Sequence, residues 1–114
     1  IKKLEKIIHP LVRMEMRKFF IKYKKQKKLF CEVPLLIESK LMNYFDVIIF
    51  IKANKKIRAK RFSVAGGEKR LFSILNNKQL SDKKKSKFSD HVVVNEKNIK
   101  ILKKNLMYII NLYE

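Results

Sequence analysis

The sequence predicts an α/β fold in which helices cover both faces of a parallel sheet. Three apolar segments of strand length, near residues 29–33, 46–51 and 91–94, alternate with segments whose apolar residues recur at helical spacing. The middle segment contains five consecutive apolar residues at 47–51, a pattern typical of a strand covered on both faces. Three strands make a thin sheet for this class. We therefore expect the chain to be the C-terminal portion of a doubly wound, three-layer domain.

The first elements are a long helix, a strand and a second, clearer strand. The helix is predicted over residues 1–28, with Pro10 accepted at a first turn and a lysine-rich end. An apolar run over 29–33 stops at Pro34 and is predicted to be a strand. A loop with a short helix is expected over 35–42, followed by the strand over 46–51.

The second half contains the two glycines of the chain, Gly66 and Gly67, between two predicted helices over 54–64 and 68–79. Because glycine reaches conformations closed to other residues, this pair is expected to be the most flexible point. Ser81 is a suitable N-cap for a short helix that runs to residue 88. The last elements are a strand over 91–94 and a helix over 98–113 with one apolar face.

The net charge of +19 first suggests a polyanion partner. The 29 basic residues comprise 24 lysines and 5 arginines, whereas nucleic-acid readers favour arginine. Lysine, isoleucine and asparagine all have AT-rich codons, so we interpret most of the charge as drift at solvated positions. A small basic, ribosome-associated module that binds RNA or DNA remains the alternative function. Such a module would need an exposed aromatic stacking platform, whereas four of the eight phenylalanines fall on predicted core faces: Phe19, Phe20, Phe50 and Phe72.

Other classes of protein are less compatible with the sequence. A single cysteine excludes an internal disulfide framework, and the two histidines lie too far apart for a zinc motif. The longest apolar run has strand length and is far shorter than the ~20 residues that span a bilayer.

Four clusters carry residue types suited to chemistry. His9 and Pro10 lie at the predicted start of a helix. The segment from Glu32 to Glu38 begins at the C-terminal end of a predicted strand, where open α/β sheets bind ligands. A basic helix beside the glycine pair, with Arg58, Arg61 and Arg70, suits a lid over phosphate. The strand over 91–94 ends in Asn95, whose amide can pair with a base edge.

Taken in order, these clusters resemble the dephospho-CoA kinase family. The resemblance runs from about residue 4 to the end and rests on Leu4-Glu5-Lys6-Ile7-Ile8-His9-Pro10-Leu11-Val12, Val33-Pro34-Leu35-Leu36-Ile37-Glu38, Phe45-Asp46-Val47-Ile48, Arg61, Gln79 and Ser89-Asp90-His91-Val92-Val93-Val94-Asn95. It implies a P-loop NTPase-type domain with a parallel sheet, related to nucleoside monophosphate kinases. The implied reaction transfers the γ-phosphate of ATP to the ribose 3′-hydroxyl of dephospho-CoA.

The resemblance also implies roles for particular residues. Six would contact dephospho-CoA: His9, Pro10, Pro34, Leu35, Leu36 and Glu38. Arg61 would be a lid arginine that stabilises the transferred phosphoryl group, and Asn95 would lie beside the adenine of ATP. Gln79 matches a recurrent lid residue whose role the sequence does not explain. Ala65 stands where a second lid arginine is common, so Lys69 or Arg70 would have to replace it.

In these terms the chain is one partial kinase domain over residues 1–114. Its expected regions are an acceptor-binding region over about 1–45, a lid over about 54–80, and the last strand and helix over 90–114. The substrates implied are ATP and dephospho-CoA, with Mg²⁺ as cofactor.

The phosphate-binding loop and the proposed general base precede the His-Pro element in this family. No G-x-x-x-x-G-K-[ST] motif occurs in the 114 residues. We therefore expect the chain to be inactive alone. We also expect a cytoplasmic monomer with no specific nucleic-acid or membrane partner.

Overall fold

The structure, a computed structural model, describes the backbone over residues 2–114 and the side chains from Pro10 onward. The chain divides into two compact units, residues 1–34 and 35–114, which we describe separately.

The first unit contains helix α1 (Lys2–Lys22). The helix runs through Pro10 instead of beginning there. It ends six residues before the predicted boundary at residue 28, where four lysines at 24, 25, 27 and 28 would repel one another within a helix.

The predicted strand over residues 29–33 is wrong, because this segment has no regular secondary structure. Phe30 is 63% exposed, and no other described segment pairs with this part of the chain. An apolar run alone does not make a strand, since a strand needs a hydrogen-bonded neighbour.

The second unit has two strands and four α-helices. After a 3₁₀ turn over Met42–Tyr44, they are β1 (Ile49–Lys52), α2 (Lys55–Val64), α3 (Lys69–Asn77), α4 (Asp82–Lys87), β2 (His91–Val94) and α5 (Ile99–Asn111). The strands are parallel, with Ile49 opposite His91 and Lys52 opposite Val94. The α/β class with a parallel sheet is therefore confirmed, although the sheet of the described residues has two strands and not three.

Strand β1 begins at Ile49. At the preceding residue, Ile48, the backbone amide binds the side chain of Asp90 instead of a backbone carbonyl of β2. The amide of Ile48 donates to the Asp90 carboxylate (N···Oδ2 2.7 Å), and the Ile48 carbonyl accepts from the Asp90 amide (2.8 Å). Within the second unit the buried apolar residues are Leu41, Ala53, Val93 and Ile109.

Three helices begin at side-chain caps. Asn54, Ser81 and Asn98 accept hydrogen bonds from backbone amides three residues further on, at 2.9, 3.3 and 3.0 Å. These residues satisfy amides that the first turn leaves without helical partners. The predicted starts of α2, α4 and α5 are thus confirmed.

The glycine pair ends α2 in a defined turn. Gly66 has φ +93°, and its amide donates to the Ser63 carbonyl at 3.0 Å. The Gly67 amide donates to the Phe62 carbonyl at 2.8 Å, which completes the paired bonds of a Schellman motif. A Cβ atom at Gly67 would overlap the Phe62 ring. Both glycines are therefore needed to close this helix, and the pair is a helix cap.

No helix between residues 2 and 114 combines the length and apolar character needed to cross a membrane.

Candidate functional site

The carboxyl ends of the two strands are tied together. The Asn95 amide donates to the Lys52 carbonyl at 2.7 Å, and the Asn54 amide donates to the Glu96 carboxylate at 3.0 Å. Ligands of open α/β sheets bind beyond these ends of the strands. We therefore expect a ligand-binding site of this unit to lie at this edge of the sheet.

Two arginines of α2 reach this edge. Arg58 and Arg61 are three residues apart and so lie on one side of the helix. Arg58 donates to the Ala53 carbonyl just after β1 (Nε···O 3.0 Å), and Arg61 donates to the Asn95 carbonyl just after β2 (Nη1···O 2.8 Å). The positive face of α2 is thus held at the ends of both strands.

Arg58 also joins α2 to α3. Its Nη1 lies 2.8 Å from the Asn76 side-chain oxygen, and its guanidinium lies 6.0 Å from the centre of the Phe72 ring. The Phe62 and Phe72 rings meet beside it, with centroids 5.8 Å apart. The two helices that the sequence assigns to the lid are therefore joined by a hydrogen bond, a cation–ring contact and a contact between two aromatic rings.

Between these helices lies a cavity of about 390 Å³. The lining combines guanidinium and amide groups with apolar surface, and its residues are Arg58, Arg61, Phe62, Phe72, Leu75, Asn76 and Gln79. Most of the exposed lining is apolar, and the guanidinium groups of Arg58 and Arg61, which match phosphate oxygens in charge and geometry, are hydrogen-bonded to protein acceptors. Lys69 and Arg70, which the sequence offered as replacements for a second lid arginine, are exposed and do not line this cavity. The arginine that lines it together with Arg61 is Arg58.

The segment over 35–41 forms a tight loop with two residues in left-handed conformation. Leu35 has φ 55° and Lys40 has φ 57°. The amides of Ser39, Lys40 and Leu41 donate back to the carbonyls of Leu35, Ile37 and Leu36 at 2.9, 3.1 and 3.1 Å. Non-glycine residues in this conformation cost energy, so other contacts must hold the loop.

Glu38 supplies such contacts. Its Oε2 accepts from the Leu80 amide at 3.2 Å and lies 3.4 Å from Nζ of Lys85 on α4. The Glu38 and Lys85 side chains are only 13% and 14% exposed. The Lys85 ammonium also donates to the Gln79 side-chain oxygen at 2.6 Å and lies 5.7 Å from the Phe50 ring centre.

In this cluster Gln79, whose role the sequence left open, accepts a hydrogen bond from Lys85, a residue that sequence reasoning missed. Lys85 is one of four lysines between residues 83 and 87, and no local signal separates it from its exposed neighbours.

The structure brings some of the predicted site residues together. Arg61 and Asn95 are in contact, and Leu35, Leu36 and Glu38 share one loop, in which Leu35 is exposed and Leu36 is half-buried. Pro10 and Pro34 are exposed and belong to the first unit. The side chain of His9 lies outside the described residues.

Two further points concern possible metal ligands and the thiol of Cys31. Between Pro10 and Glu114, no three His, Cys, Asp or Glu side chains converge in a way that could hold a metal ion. The described side chains therefore offer no preformed cluster of ligands for Mg²⁺, and we assign the ion no step. In the first unit, burial raises the pKa of the Cys31 thiol above its ordinary value.

The fold and the site define a parallel α/β unit with two arginines at the carboxyl ends of its strands. The model of the dephospho-CoA kinase family matches residues 1–100. The chain belongs to the dephospho-CoA kinase family.

Individual relatives agree with this assignment. The chain is 33% identical over 94 residues to a dephospho-CoA kinase of Wolbachia pipientis wMel. The aligned region covers 81% of this chain and 48% of that protein. It is 29% identical over 110 residues to the protein of the same name from Bartonella henselae, and the aligned region covers 94% of this chain and 56% of that protein. The identity to the dephospho-CoA kinase of Staphylococcus aureus strain RF122 is 34% over 110 residues, and the aligned region covers 90% of this chain and 51% of that protein. The chain thus spans about half the length of the relatives it matches.

Proposed function

We propose that this chain supplies the acceptor, lid and adenine-side parts of an enzyme that phosphorylates the ribose 3′-hydroxyl of dephospho-CoA with ATP. The observation that supports this most directly is the contact between Arg61 and Asn95. It holds a residue proposed to act on phosphate and a residue proposed to lie beside adenine at the same edge of the sheet, where both can face one bound nucleotide.

Arg61 is proposed to stabilise the phosphoryl group during transfer. Negative charge is spread over the oxygens of the transferred group, and a fixed guanidinium favours that distribution. Arg61 is exposed, and its partner is a neutral carbonyl. A phosphate oxygen, which carries a full charge, is a better acceptor and would compete successfully for this donor.

The loop over 35–41 is proposed to form part of the acceptor site, with Leu35, Leu36 and Glu38 as its functional residues. The exposed Leu35 side chain offers apolar surface to the substrate. Glu38 is engaged with Leu80 and Lys85, so its proposed role is to hold the loop in shape. In the first unit, described by itself, we propose on the family resemblance that His9, Pro10 and Pro34 contact dephospho-CoA.

We propose that residues 1–114 alone do not transfer phosphate, since they contain no phosphate-binding loop motif. Without backbone amides and a lysine around the β- and γ-phosphates, both positioning and charge stabilisation are lost. Mg²⁺ would then be bound largely by groups other than those described.

The test is a coupled ADP-release assay with dephospho-CoA as acceptor. It compares the 114-residue chain with a longer version that carries a family phosphate-binding loop upstream. We expect turnover only from the longer version, and phosphorus NMR of the product should show a 3′-phosphate. Turnover by the short chain would contradict its inactivity, and an inactive but folded longer version would contradict the proposed activity.

A further inference from the structure

We propose that Lys85 is a positioning residue for the acceptor loop over 35–41, and that Gln79 connects it to the arginine-lined cavity. The inference rests on the proposed function, because it gives that loop the acceptor role. Neither Lys85 nor Gln79 is then required to touch the acceptor. Their effect on acceptor binding is transmitted through Glu38.

The first step is the cost of the loop conformation. Leu35 and Lys40 both adopt left-handed backbone angles, which L-residues with side chains disfavour. The three backbone hydrogen bonds within the loop close it on itself. Its attachment to the rest of the unit includes the Glu38 carboxylate, which reaches the Leu80 amide and Lys85.

The second step is the burial of the ion pair. Both side chains are more than four-fifths buried, so the pair differs from solvated surface pairs that contribute little. Loss of one partner would leave a charged group in a poorly solvated place. If Lys85 is removed, the Glu38 carboxylate should therefore turn toward water, and the loop that contains Glu38 should move with it.

The third step is the connection to the cavity. Gln79 lines the cavity together with Arg58 and Arg61, and its side-chain oxygen accepts from Lys85 at 2.6 Å. Contacts therefore run without a gap from the cavity to Gln79, Lys85, Glu38 and the loop. A ligand that moves Gln79 would change the support of Lys85 and thus the acceptor loop.

The kinetic test uses the longer, active version of the enzyme. We expect Lys85→Met to raise KM for dephospho-CoA about tenfold, the effect of losing one hydrogen bond to a charged group, while kcat and the KM for ATP change less than about twofold. Lys85→Arg should restore the low KM. The matched control is Lys84→Met, which removes the same charge from an exposed position of the same helix.

A second measurement needs no activity. Hydrogen exchange on the 114-residue chain reports the amides of Ser39, Lys40 and Leu41. Lys85→Met and Gln79→Leu should speed exchange there but not at the Asn95 amide, which is bonded to Lys52. Gln79→Glu keeps an acceptor oxygen and should preserve protection.

The two measurements separate the possible failures. If the longer wild-type enzyme does not phosphorylate dephospho-CoA, the proposed function fails, whereas the exchange data still decide whether Lys85 and Gln79 hold the loop. The positioning role is overturned if Lys85→Met behaves like Lys84→Met in both measurements. It is also overturned if all amides lose protection equally while KM is unchanged, which would show only a general loss of stability.

Discussion

The guanidinium of Arg61 lies 2.8 Å from the backbone oxygen of Asn95, although 34 positions separate the two residues in the chain. The contact places a positive charge beside the carboxyl end of β2. Asn95 is in turn held to the end of β1 through Lys52. The basic helix is thus fixed to the sheet edge where ligands of α/β proteins bind.

Arg61→Met tests the importance of this charge for catalysis. In the longer, active version of the enzyme we expect kcat to fall by about 100-fold, since loss of one fixed donor to a developing charge commonly has this effect. Steady-state kinetics with ATP and dephospho-CoA measure it. The matched control is Lys60→Met, which removes a positive charge from an exposed position of the same helix outside the cavity and should stay within about twofold of wild type. Equal losses in both variants would show an effect of total charge and contradict a specific role.

Arg58 is expected to matter chiefly for stability. Its Nε and Nη1 bind two separate acceptors, Ala53 and Asn76, and a lysine cannot reproduce that fork. Arg58→Lys and Arg58→Met should each lower the free energy of unfolding by about 1–3 kcal/mol, measured by urea denaturation.

The control for Arg58 is Lys60→Met on the exposed side of α2, which should change stability by less than about 0.5 kcal/mol. A double-mutant cycle with Asn76→Ala isolates the contact between α2 and α3. Strict additivity of the two losses would mean that the Arg58–Asn76 bond does not contribute.

Local signals in the sequence were sufficient for most elements of the second unit. The caps at Asn54, Ser81 and Asn98 each act within one helical turn, so a short window of sequence contains both donor and acceptor. The glycine pair likewise predicted the break between α2 and α3, but the sequence analysis interpreted it as a flexible point, whereas the left-handed φ of Gly66 and two backbone hydrogen bonds make it a helix cap.

Features that depend on distant partners could not be predicted in this way. The segment over 29–33 has strand-like composition, but its state depends on a neighbour that local sequence does not specify. The burial of Lys85 depends on Glu38, 47 positions earlier, and Phe50, 35 positions earlier. The placement of Arg58 between Ala53 and Asn76 likewise requires the packing of α2 against α3.

The Cys31 thiol offers a prediction about pH. Burial disfavours the thiolate and raises the pKa, so less of the reactive form exists at a given pH in the folded chain than in the unfolded chain. The pH midpoint of the alkylation rate with iodoacetamide should therefore be higher in buffer than in concentrated urea. Glutathione under both conditions controls for the effect of urea on the reagent. Identical midpoints for the two states of the chain would contradict the effect of burial.

Gly66→Ala should destabilise the chain. At φ +93° an alanine side chain is strained even though open space surrounds the position, and the expected cost is about 1–2 kcal/mol. Gly66→Asn should lose less, since asparagine tolerates left-handed backbone better. Urea denaturation of the three proteins measures the difference, and an alanine variant as stable as wild type would contradict a Schellman cap at the end of α2.

Lys40→Gly should have the opposite effect, because Lys40 occupies the corresponding position of a second Schellman turn. Its amide donates to Ile37 and the next amide, that of Leu41, donates to Leu36. Glycine removes the strain of φ 57°, and the gain should exceed the flexibility it adds to the unfolded chain, for a net stabilisation of about 1 kcal/mol. Lys40→Ala separates charge from backbone strain, since it removes the same ammonium group but keeps a Cβ atom and should leave stability nearly unchanged. If both variants shift the urea midpoint equally, loss of a positive charge in this strongly basic chain would be the cause, and the strain assigned to the loop would be wrong.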